Sequence, residues 1–79
     1  MKVNIYSIRD ELAELYGNLF LVNPKVAMRQ FGLMQQEMEA ADKKDRVIYL
    51  MGTFDAETGE IELVHPQAVF KLEREESND

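Results

Sequence analysis

The sequence predicts a small two-layer α+β domain: a mostly antiparallel sheet, in the order β-β-α-β-β, with one helix packed on one face. Three observations carry this. Residues 24–42 place apolar side chains at helical spacing behind an Asn23-Pro24 start. The flanking segments are rich in β-branched and aromatic residues. Within the second of them, residues 49–61, YLMGTFDAETGEI, have the pattern of a β-hairpin.

The first strand is Lys2 to Arg9, with Val3 and Ile5 on one side and Asn4, Tyr6 and Ile8 on the other. Asp10 to Tyr16, DELAELY, fits a short helical turn with Asp10 as N-cap. Gly17-Asn18 marks a turn, and Leu19–Val22 is a short buried strand. Asn23 is a good N-cap, and Pro24 suits the first helical position because its missing N–H would have no partner there. The helix then runs to about Asp42. Its apolar stripe is Ala27, Phe31, Met34, Met38 and Ala41, with Val26, Leu33 and Ala40 on a second strip roughly 100° around the wheel.

Arg46–Phe54 and Glu60–Leu63 form the hairpin, with Asp55 capping the turn and Gly59 at a positive φ. The first of these strands is apolar on both faces. Val47, Tyr49 and Met51 point one way, Ile48, Leu50 and Phe54 the other. One helix covers only one of them. Ile61 and Leu63 of the return strand point inward, and His65-Pro66 ends it. Val69, Phe70 and Leu72 form a short last strand or an extended arm, so residues 1–72 make one domain and 73–79 an acidic, disordered tail.

At 79 residues the chain is near the lower limit for a self-sufficient core, and it has no cysteine to supply a disulfide or a thiolate zinc site. Small domains without staples often gain stability by association, so a homodimer or higher homo-oligomer is expected. The apolar runs are far shorter than the roughly 20 residues of a membrane helix, and no signal-peptide pattern is present, which points to the cytoplasm. The net charge is −6, split equally between the body and the last seven residues. That balance disfavours a general nucleic-acid binder, whose affinity rests on neutralising phosphates.

No catalytic, cofactor or metal motif is evident. His65 is the single histidine and has no nucleophile in a recognisable setting, so no enzyme activity is expected. Asp55, Glu57, Glu60 and Glu62 match no EF-hand spacing and are read as a solvated turn. Arg9 either reaches a phosphate or a partner's carboxylate, or pairs internally with Asp or Glu at the strand-to-turn corner. Lys25, Arg29 and Arg46 could join it in a basic patch, with Tyr6 and Tyr49 as stacking surfaces for single-stranded DNA. The alternative is an ordinary wet helix face and core aromatics. Tyr49, Met51, Val26 and Leu33 are the candidate oligomer interface.

Three segments in order, IYSIRD (5–10), NLFLVNPKVAMRQF (18–31) and YLMGTFDAETGEI (49–61), resemble the small non-structural protein of gokushovirus-type microviruses, phages with single-stranded DNA genomes. The helix carries that family's A-x-R-x-F core as Ala27, Arg29 and Phe31. The hairpin supplies Tyr49, Gly52, Phe54, Asp55, Thr58 and Gly59. The family often has a proline before its aromatic pair, where this chain has Gly17-Asn18-Leu19-Phe20, and the last 13 residues have no counterpart. The resemblance implies a non-capsid protein acting in viral DNA replication inside a bacterial host, through single-stranded DNA or the replication complex. Composition alone allows another function: an acidic interaction protein that inhibits a host factor by mimicking nucleic acid.

Overall fold

A computed structural model describes residues 1–72 of the chain; the acidic tail expected at 73–79 lies outside them. Four antiparallel strands form one sheet: β1 (Lys2–Asp10), β2 (Leu15–Val22), β3 (Arg46–Asp55) and β4 (Ile61–Lys71), in the spatial order β2-β1-β3-β4. Between β2 and β3 the chain makes a 3-10 turn, Pro24–Val26, then α1 (Ala27–Glu37) and the single turn α2 (Ala40–Lys43). The fold is α+β, but the helical layer is in pieces rather than one helix.

The start of that layer follows from local chemistry. The Asn23 side chain accepts from the Lys25 N–H at 2.9 Å, with Pro24 directly behind the cap. The helix expected to reach Asp42 stops early, because Met38 and Glu39 are both extended. No glycine or proline causes the break. The half-buried Met38 side chain packs against the core cluster, and Ala41, expected in the apolar stripe, is exposed.

The core lies between α1 and one face of the sheet. Tyr6, Ala27, Phe31, Ile48 and Leu72 are buried there, with Ile8, Phe20, Val22, Leu50 and Phe70 around them. Tyr6 meets Phe31 edge-on at 4.9 Å between centroids, and Phe31 tilts against Phe70 at 5.5 Å. A fully buried side chain of this size stabilises by roughly 1.5–3 kcal/mol relative to exposure. Leu72 belongs to this core: its N–H donates to the Arg46 carbonyl, and the Gln35 side chain donates to its own carbonyl, each at 3.0 Å.

Two connections depart from the sequence expectation. The helical turn over 10–16 contracts to a reversal at 11–14, and β2 begins at Leu15 rather than Leu19. Asp10 does cap the reversal, accepting from the N–H groups of Leu12 and Ala13 at 3.0 and 3.1 Å. Glu14, at φ 61°, then turns the chain back along β1. At the other end β4 continues through Pro66. Leu50 pairs with Gln67 and Gly52 with Leu63, so residues 64–66 lie opposite Met51 alone. A bulge on an edge strand demands no N–H there, which makes the proline tolerable.

The bulge at Met51 also resets the faces of β3. Ile8 pairs with Ile48 and Tyr6 with Leu50 on the helix side; Ser7 pairs with Tyr49, Ile5 with Gly52 and Val3 with Phe54 on the other. Strict alternation placed Phe54 with Ile48 and Leu50. The extra residue moves it to the side of Tyr49 instead. Gly52 is required at this site: a Cβ there would overlap the Glu62 carbonyl oxygen and sit 3.1 Å from the Leu63 Cα. Ile61 and Leu63, expected inward, pair with Phe54 and Gly52 and lie on the uncovered side, largely exposed.

Candidate functional site

The helix covers one face of the sheet, and among the described residues no element covers the other. Ile5 and Ser7 are nevertheless buried on this bare face, shielded by the side chains around them. Ile5 is not part of the core cluster beneath the helix. The Ser7 hydroxyl donates to the Gly17 carbonyl at 3.0 Å and so has its polar group satisfied.

Toward the end where β1 meets the 11–14 reversal, the bare face carries a joined cluster. Arg9 pairs with Tyr16 across β1 and β2, while Ser7 pairs with Tyr49 across β1 and β3. The Arg9 guanidinium lies over the Tyr16 ring, 5.3 Å from its centroid. Tyr16 meets Tyr49 edge-on at 5.4 Å. Glu11, just past β1, ties the group together: one carboxylate oxygen accepts from Arg9, the other from the Tyr49 hydroxyl at 2.7 Å.

The electrostatics follow from those contacts. Desolvation by itself would lower the pKa of Arg9, but the hydrogen bond to Glu11 and its charge outweigh this and hold the guanidinium above its usual value. Hydrogen bonding to Glu11, then desolvation and the carboxylate's charge, push the Tyr49 phenol above its ordinary pKa. Nε of Arg9 is buried with no partner among the described residues. The result is a charge-compensated platform of two aromatic rings and one stacked cation.

The other sequence-predicted residues do not gather here. Tyr6 is a correction: it is 4% exposed, between Phe31 and Phe20, and its hydroxyl accepts from the Asn4 side chain at 2.9 Å. It offers no stacking surface, because its place on β1 points it under the helix. Arg46 pairs with Asp10 at 3.6 Å and donates to the Lys44 carbonyl at 2.9 Å. Lys25 and Arg29 are exposed in the helical layer. A continuous basic patch with Arg9 does not form, since the sheet lies between them.

The expected oligomer interface is divided in the same way. Tyr49 lies on the bare face, Met51 in the bulge, and Val26 and Leu33 in the helical layer. Sequence reasoning placed Tyr16 in a helical turn and so missed its partnership with Arg9. It also missed Leu19 and Leu21, which are 63% and 52% exposed beside Ile5 and Ser7. The uncharged run LYGNLFLV was the available signal for a longer strand.

At the far end of the sheet a shallow cavity of about 280 Å³ is lined by Lys2, Thr53, Asp55, Glu60, Ile61 and Glu62. Among the described residues no group of three or more His, Cys, Asp or Glu side chains is arranged to hold a metal ion. Asp55 is committed to the turn, accepting from the Glu57 N–H at 2.9 Å. Among the described residues no helix is long and apolar enough to cross a membrane.

Among known proteins, a family model described as Phage ORF5 protein matches residues 3–74. No curated protein and no solved structure matches the chain.

Proposed function

Since the chain belongs to the Phage ORF5 protein family, we propose that it is a non-enzymatic phage protein, of the microvirus type its motifs resemble, acting in single-stranded DNA replication in the host cytoplasm. It works by binding single-stranded DNA, or the complex that makes it, on the bare face of the sheet. The observation that carries this reading is the Arg9–Tyr16–Tyr49 platform. Bases stack on exposed aromatic rings with little regard to sequence, and a guanidinium adds a cation–π contribution. Glu11 already neutralises Arg9, so stacking supplies more of the affinity than phosphate contact does. Such binding also suits an acidic chain better than electrostatic tracking of the backbone.

The test is fluorescence anisotropy of a labelled oligothymidylate across a salt series, with the full chain and its Tyr16→Ala variant. Stacking contributes about 1–3 kcal/mol per base. Loss of Tyr16 should therefore weaken binding roughly 5- to 150-fold while the salt slope stays shallow. Absence of binding by the full chain at low salt would reject the reading.

A second reading is inhibition of a host nucleic-acid-binding protein. It draws on the exposed Glu57, Glu60 and Glu62 around the β3–β4 turn: Glu57 lies 3.8 Å from the Met1 amino group, while Glu60 and Glu62 present acidic charge without a paired cation among the described residues. Competition with DNA for such a host factor, without oligothymidylate binding, would favour it.

A further inference from the structure

The two edges of the sheet differ in chemistry. β4 carries Glu62, Pro66 and Lys71, and two irregularities in its pairing with β3. These are the usual devices by which an edge strand resists pairing with another chain. β2, LYGNLFLV, has no charge and no proline. Its one irregularity lies at Gly17-Asn18, opposite Ile8, and from Leu19 to Val22 its pairing with β1 is regular. Among the described residues nothing pairs with its outer side. Its open-face leucines, Leu19 and Leu21, are more than half exposed.

We propose that the β2 edge is the site where a second copy of this chain adds, antiparallel, through Leu19–Leu21, to make one eight-stranded sheet. Charge argues for a second copy meeting here. Two chains of net charge −6 repel wherever acidic groups face each other, and this edge is free of them. Side-chain alternation then restricts the register. The dyad must stand perpendicular to the sheet, so open-face residues meet only open-face residues. Centred on Phe20, it sets Leu19 against Leu21 of the second copy and Leu21 against its Leu19. Four leucines then cover a seam held by backbone hydrogen bonds, with both helices on the same side. This assembly is independent of DNA binding, and its readout is mass.

Light scattering on the full chain over a dilution series should give twice the 9.2 kDa chain mass. Replacing Leu19 and Leu21 together by lysine should shift the mass to that of one chain, with the far-ultraviolet β-signal retained. Leu63→Lys, on the same face but at the opposite edge, should leave the dimer intact. A separate measurement is independent of whether the double variant folds. The chain has no cysteine, so mixing a Leu19→Cys chain with a Leu21→Cys chain under mild oxidant should yield a disulfide-linked heterodimer. A monomer at every concentration, dissociation by Leu63→Lys, or failure of the mixed cross-link would overturn the proposal.

Discussion

The Tyr49 hydroxyl donates to Glu11 at 2.7 Å across 38 residues of sequence, fastening β3 to the β1–β2 reversal. The same carboxylate holds Arg9. Glu11 is therefore the joint of the platform, although its own position in the chain is an ordinary turn.

Tyr49→Phe should remove one phenolate step from the ultraviolet titration, at a pH above the ordinary value of 10.0. The phenol's pKa is raised on folding. Its contribution to stability is complete below the unfolded value and fades as pH rises through the folded one. Wild type should lose stability to alkali more steeply than Tyr49→Phe. Equal slopes in urea melts between pH 9 and 11 would show that the Glu11 contact has no energetic weight.

Gly52→Ala should destabilise by about 1–3 kcal/mol or more, because the new methyl meets the β4 backbone rather than a flexible side chain. Gly32→Ala should do the opposite. A methyl at Gly32 in α1 has nothing within 4 Å, so the gain is about 0.4–1 kcal/mol from helix propensity. Urea midpoints read both. A tolerated Gly52→Ala would mean that β4 does not approach β3 as closely as described.

Acid should weaken the fold through two turns. Asp10 is held below the usual carboxylate range first by the Ala13 N–H, with help from Arg46 and the Leu12 N–H. Asp55 is lowered first by the Glu57 N–H. Both pKa values are depressed by folding, so their stabilisation is present above the unfolded value of 3.8 and disappears as pH falls through the lower folded values. Asp10→Asn and Asp55→Asn should each flatten the dependence of the urea midpoint on pH below about 4. An unchanged acid limb in both would locate the acid sensitivity elsewhere.

Tyr6→Ala should cost about 3–5 kcal/mol, the usual range for truncating a buried aromatic. Tyr6→Phe removes only the hydroxyl that accepts from Asn4, and oligothymidylate binding should then match wild type. Weaker binding by a folded Tyr6→Phe protein would contradict its place beneath the helix.

These residues also show what could be read from the chain alone. Asn23, Asp55 and Gly59 are legible because their work is local: two caps and one left-handed turn residue, with Gly59 at φ 82°. Phe31 and Ala27 are legible because helical period puts them on one side. Phe54 was misassigned because one bulge residue, Met51, inverts every face that follows it, and only the pairing with β1 and β4 reveals the bulge. Pro66 looked like a strand end because its tolerance depends on what lies opposite. Tyr16 was hidden by DELAELY, whose composition suits a helix until Glu14 turns left-handed. The Arg9–Glu11 pair was within reach as the internal alternative for Arg9.

The strand order also has a consequence for how the chain comes to fold. β1 with β2 and β3 with β4 are hairpins of near neighbours, whereas the β1–β3 seam joins Lys2 to Asp55. On the ribosome the first hairpin emerges with the inner edge of β1 unpaired until residue 55 is out. At about 5–20 residues per second that delay lasts a few seconds, long compared with the microseconds a hairpin needs to form. Closure of that one seam, rather than the making of either hairpin, should set the folding rate, since contacts distant in sequence are the slow ones to form.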